Sequence, residues 1–94
     1  MDIRWTPEAG ANLEHISLHI AEDSPEAALS TVRTIFQRIE NLVVFPRRGR
    51  IGREEGTREL VVPPLPYIVV YRVTDFTIEI LQIWHGAQDR SGNR

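Results

Sequence analysis

The 94-residue sequence contains no cysteine, which removes disulfide frameworks, thiolate metal sites and a cysteine nucleophile from consideration. Lysine is absent as well: all eleven basic residues are arginine, the side chain better shaped for bidentate contact with phosphate or carboxylate. Long apolar runs are also missing. The longest, Tyr67 to Tyr71, falls far short of the roughly 20 residues that cross a bilayer. The amino terminus, Met1-Asp2-Ile3-Arg4-Trp5, has no basic segment followed by an apolar stretch, so no leader and no membrane partner are expected and a cytoplasmic location is. Gly49, Gly52 and Gly56 lack the preceding strand and the following Lys-Ser/Thr of a phosphate-binding loop.

What is present reads as one globular domain over residues 1–94. With 41% hydrophobic and 26% charged residues, the chain falls within the range of one folded unit. So short a chain buries a modest fraction of its surface, and a tightly bound partner would add to its stability. Net charge is −2, but it is unevenly spread. Residues 1–43 carry a net −4 and residues 44–94 a net +2, so an anionic partner would dock on the carboxy-terminal half.

Hydrophobic spacing predicts the order β-α-α-β-β-β. Ile3 to Trp5 forms a short strand, and Thr6-Pro7 caps and opens a helix running to about Glu22. Ala9, Leu13, Ile16 and Ile20 line one face of it. Ser24-Pro25 repeats the start signal, and Ala28, Val32, Ile35, Ile39 and Leu42 mark a second helix folded back on the first. Phe45-Pro46 stops that helix, and residues 47–56 read as a loop by their glycines and charges. The period then becomes two: strands from Arg58 to Val62, Tyr67 to Val73 and Phe76 to Trp84. Tyr67 to Tyr71 is apolar on both faces and belongs in the centre of the sheet. The fold class is therefore α+β, a helical hairpin on a small, mostly antiparallel sheet, with the first strand at an edge or beside the last strand. The polar tail from Gln88 to Arg94 is expected to fray.

Several side chains carry a plain structural reading beside a chemical one. Arg58 shares a strand face with Leu60 and Val62, where a salt bridge to Glu59 or Glu79 would account for it. Arg72 interrupts an apolar strand and must pair with an acid or line a groove, because an unpartnered buried charge is costly. His85 closes the last strand at the rim of the sheet, where it could act as an acid–base group or serve as a hydrogen-bonded structural residue. The arginines of the 47–56 loop, Arg47, Arg48, Arg50 and Arg53, could hold phosphates or an acidic segment, or be solvated. Trp5 and Trp84 read as core or sheet-edge aromatics rather than a base-stacking platform. His15 and His19 lie four apart on the first helix, but Ile16 stands where a zinc-protease motif has Glu, so a solvated pair is expected, with no metal and no cofactor.

Six segments together resemble the RelE/ParE superfamily of toxins from type II toxin–antitoxin systems, and the resemblance spans nearly the whole chain. They are Trp5 to Ala9, Ser24 to Ala28, Phe45 to Arg50, Gly56 to Leu60, Pro66 to Val73 and Ile83 to Asp89. The resemblance implies a cognate antitoxin that wraps the toxin, with operator DNA bound only through that antitoxin. It also implies an apolar groove over the hairpin and sheet that receives a helix of the partner.

The resemblance implies one of two activities: cleavage of messenger RNA on the ribosome, as in RelE-like members, or inhibition of DNA gyrase, as in ParE-like members. Cutting members carry Arg at the positions of Ile68 and Gln88 and a Tyr after the last strand, which this chain lacks. Arg58, Arg72 and His85 remain as the catalytic set of a nuclease. Two missing arginines weaken stabilisation of the crowded phosphate, each well-placed donor being worth roughly 3–4 kcal/mol. The expectation is therefore a ParE-like inhibitor of gyrase or another topoisomerase. A ribosome-dependent endoribonuclease and a non-toxic, antitoxin-bound co-repressor are the alternatives.

Overall fold

The computed structural model describes residues 1–87. It contains β1 (Asp2–Trp5), α1 (Pro7–Ala21), α2 (Pro25–Glu40), a 3-10 turn (Asn41–Val43), β2 (Arg50–Ile51), β3 (Arg58–Val61), β4 (Tyr67–Val73) and β5 (Thr77–His85). The expectations for the 88–94 tail, and for Gln88 within it, lie outside the described residues.

Both helices begin where cap chemistry requires. The Thr6 hydroxyl accepts from the Ala9 amide at 3.1 Å and donates to the Ile80 carbonyl at 2.9 Å, so one side chain caps α1 and ties it to β5. Ser24 accepts from Ala27 at 3.1 Å, with Pro25 at the first helical position. The helix C-terminal to Ser24 ends at Glu40, and Leu42, expected inside it, sits fully buried on the 3-10 turn.

The sheet order is β1-β5-β4-β3-β2, so β4 is central as its two-faced apolarity implies. β1 is an edge strand beside β5, and this is the one parallel pair among the described residues; the β2–β3, β3–β4 and β4–β5 ladders are antiparallel. β2 is a correction to the expected 47–56 loop. Arg50 and Ile51 pair with Glu59 and Arg58, a strand that exists only because β3 offers it an edge.

One face of the sheet carries the core. Leu60, Val62, Val69, Tyr71, Ile78 and Ile80 pack there against Ala9 and Leu13 of α1 and Ile35 and Ile39 of α2. The β4–β5 register shifts between Val70 and Tyr71: Val70 lies opposite Gln82, and Tyr71 opposite Ile80. Leu81 is the extra residue of a bulge, which reverses the alternation. Ile83 and His85 therefore join the core side, while Trp84, opposite Ile68, faces away. Trp5, on β1, packs on Phe36 of α2 with ring centroids 5.2 Å apart, a sheet-edge aromatic as expected.

Candidate functional site: an arginine-lined cleft beside the β3 edge

The segment after α2 returns across the end of the sheet and is held there from below. The Tyr71 hydroxyl donates to the Pro46 carbonyl at 2.7 Å and accepts from the Gly49 amide at 2.8 Å. Burial pushes the Tyr71 phenol up, while the Gly49 hydrogen bond and the Arg58 charge pull it down less strongly. Gly49 is glycine for a steric reason: a Cβ there would sit 2.7 Å from the Tyr71 ring and 2.9 Å from the Glu59 carbonyl oxygen.

Arg58 completes the clamp. Its guanidinium donates to the Gly49 carbonyl at 2.8 Å and, at 3.4 Å, to that of Arg47. The expected salt bridge to Glu59 or Glu79 does not form, because Arg58 points to the core face with Leu60 and Val62 while Glu59 points to the other.

Glu59 is buried on that opposite face. Its Oε1 accepts from Arg50 Nε at 3.3 Å and Arg50 Nη2 at 3.1 Å, and its Oε2 accepts from the Arg53 amide at 3.4 Å. The carboxylate thus fixes both β2 and the start of the 52–57 turn. Beside it opens a cleft of about 610 Å³, lined by Arg38, Arg48, Arg50, Glu59 and Val61 among others. The structure therefore brings Arg48 and Arg50 together, and adds Arg38, which sequence reasoning missed. Arg38 lies in the last turn of α2, and nothing in its spacing signals that helix and strand edge converge. Arg47 turns instead to a shallower apolar surface of about 850 Å³ with Met1, Val44, Phe45 and Val73. Arg53 is exposed.

The remaining candidates lie elsewhere. Arg72 finds an acid: its Nε is 3.2 Å from Glu79 on the open face, and Arg4 approaches the same carboxylate at 3.8 Å. His85 Nδ1 accepts from the Ala87 amide at 3.0 Å, and its ring meets Tyr67 edge-on at 5.5 Å. Arg58 is opposite Tyr71 and His85 opposite Tyr67. Four to five residues of extended chain separate His85 from either arginine, about 13–17 Å along the strand. Arg58 and Arg72 moreover sit on opposite faces of the sheet. The three do not surround one point.

The Leu81 bulge does bring His85 towards His15 and His19, and with Tyr67 they border a hollow of about 340 Å³. His19 is exposed and 4.0 Å from Glu22. Among the described residues no group of three His, Cys, Asp or Glu side chains is arranged to hold a metal ion, and no helix is long and apolar enough to cross a membrane.

The described residues thus form a two-helix hairpin on a five-stranded mixed sheet, with a basic segment pinned across one end. Residues 3–90 match the family described as ParE toxin of type II toxin-antitoxin system, parDE. The protein Y4kP of Sinorhizobium fredii is 41% identical over 86 residues, 92% of this chain and 88% of that one. Toxin RelE2 of Caulobacter vibrioides is 37% identical over 84 residues, 89% and 93% of the two chains. In the solved chromosomal ParDE toxin–antitoxin system from P. aeruginosa, one chain superposes with a TM-score of 0.81 at 32% identity, covering 90% of this chain and 95% of that one. The chain belongs to the ParE toxin family of type II toxin–antitoxin systems.

Proposed function

We propose that the chain arrests growth in the cytoplasm by binding and inhibiting DNA gyrase or a related topoisomerase, and that a cognate antitoxin neutralises it. One observation carries the choice of a binding inhibitor over a nuclease. Arg58, Arg72 and His85 are committed to a carbonyl clamp, an ion pair with Glu79 and a turn amide, at places too far apart for one scissile phosphate. Cleavage at the 2′-hydroxyl needs a base, an acid and phosphate-binding cations within hydrogen-bond reach of the same few atoms. Ile68, on the central strand, adds no cation.

The antitoxin reading is supported by the apolar surface of Met1, Val44 and Phe45, each 47–68% exposed, since monomeric proteins seldom leave such residues clustered in the open. Operator DNA would be reached through the antitoxin alone.

Purified chain added to gyrase in supercoiling and cleavage-complex assays tests the proposal. Inhibition at stoichiometric toxin is the expected result. An unaffected gyrase, together with ribosomal A-site cuts in primer extension on messenger RNA from induced cells, would replace it with the nuclease reading. Growth that continues unchanged on induction without the antitoxin would favour a co-repressor role.

A further inference from the structure

The sheet ends on the other side at β1. Asp2 donates its amide to Phe76 at 2.9 Å and Thr6 donates to Ile80 at 3.0 Å, so in this parallel ladder Asp2 and Arg4 turn their backbone groups to β5. Ile3 and Trp5 therefore turn theirs outward, and among the described residues no backbone partner takes them. The side chains alternate in register with this. Asp2 and Arg4 stand exposed on the open face, while Ile3 and Trp5 lie half-buried towards the core. The strand thus carries an acid and a base at equal distances on either side of one apolar residue. Asp2 has no basic group within ion-pair distance among the described residues, and Arg4, its side chain 72% exposed, comes only to 3.8 Å from Glu79.

We propose that β1 pairs antiparallel with β1 of a second copy of this chain, about a twofold axis through Ile3, and so joins two five-stranded sheets into one. The inference goes beyond the toxin reading and is independent of both target and antitoxin. Register selects this occupant. In an antiparallel pair the outward-turned residues lie opposite one another, which limits the axis to Asp2, Ile3, Arg4 or Trp5. An axis through Trp5 sets Ile3 against Pro7, which has no amide to give. Axes through Asp2 or Arg4 put identical charges directly opposite, with Cα atoms about 4.5 Å apart, which destabilises a ladder. An axis through Ile3 lets the two Ile3 residues exchange both backbone bonds. Asp2 of each copy then faces Arg4 of the other in the closer, non-hydrogen-bonded pairing, where opposite charges stabilise. An unpaired edge strand is a template for such addition, and one patch that complements itself gives a closed dimer. Phe36, 41% exposed and packed on Trp5, adds an apolar flank on the helix side.

Sedimentation equilibrium on the purified full chain tests the pairing. A dimer is expected at about 100 μM, and Asp2→Arg and Arg4→Asp are each expected to weaken it at least about tenfold. Mixing the two single variants should restore a dimer, because one then supplies two bases and the other two acids at the paired positions. The double variant Asp2→Arg/Arg4→Asp, which inverts both charges within one chain, should dimerise by itself. Restoration by either route supports the Ile3 register; restoration by neither overturns it. An unsubstituted chain that stays monomeric at about 100 μM, or a dimer indifferent to both single reversals, overturns the inference as well. Hydrogen exchange at the Ile3 amide is expected to slow as the chain is concentrated. A monomer in which that amide is protected at every concentration overturns the inference in favour of a cover within the chain.

Discussion

Removing a single oxygen atom from Tyr71 should loosen the arginine segment without opening a cavity. In Tyr71→Phe the ring stays in the core and the hydroxyl is lost, and with it the bond donated to Pro46 and the bond accepted from Gly49. Gly49 is buried, so its amide has no ready access to water. Two hydrogen bonds at about 1–1.5 kcal/mol each give a destabilisation of roughly 2–3 kcal/mol. For a domain of this size about 1 kcal/mol corresponds to 4–8 °C, so Tm should fall by roughly 10–20 °C in calorimetry.

The same substitution should alter the alkaline limb of stability. The Tyr71 phenol is raised above its ordinary value of 10.0, chiefly by burial, and Tyr67 is raised for the same reason. An acid whose folded-state pKa lies above its unfolded one holds its proton longer when folded. Its full contribution is present below pH 10 and is lost as pH rises from there through the folded value. Tyr71→Phe should therefore show a shallower decline above pH 10, the remaining slope coming from Tyr67. A Tm within about 2 °C of the parent, or an unchanged alkaline slope, would refute the assignment of the hydroxyl as the anchor of the segment.

Gly49→Ala should cost roughly 2–3 kcal/mol in urea denaturation, because its Cβ would overlap both Tyr71 and the Glu59 carbonyl; a neutral result would mean the segment can lift off the sheet. Glu79→Ala should lower stability by no more than about 1 kcal/mol, since Arg72 and Arg4 are largely solvated, and a larger loss would show that the open-face ion pairs are stronger than their exposure implies. His85→Ala should leave growth arrest intact in induced cells, as expected of a group that orders a turn rather than a phosphate; abolished arrest with retained folding would count against the binding-inhibitor proposal.

How far the sequence could be read depended on the range of the interaction concerned. Thr6-Pro7 and Ser24-Pro25 are local signals, complete within four residues, and the helices begin there. The centrality of β4 was legible because burial on both faces leaves its mark on every residue of the strand. β2 was not, since Arg50 and Ile51 become a strand only through Glu59 and Arg58, and their own chemistry says loop. Arg72 was open to an acid partner by the cost of leaving its charge bare, and Glu79 is that partner. Arg58 invited the same argument and met it differently, with two backbone carbonyls from the arginine segment, because its face and that of Glu59 differ. Arg38 was invisible until α2 and β3 were brought side by side.

The extra residue at Leu81 sets a parity for everything that follows it. Were Leu81 instead paired regularly opposite Val70, Ile83 and Trp84 would exchange surroundings, so an isoleucine side chain would leave the core and an indole would be driven under the first helix. For the same reason, a role borrowed from a relative for any residue after Leu81 holds only if that relative carries the same kink. Between two strands of equal length, one kinked there and one regular, identical letters would name opposite sides of the molecule.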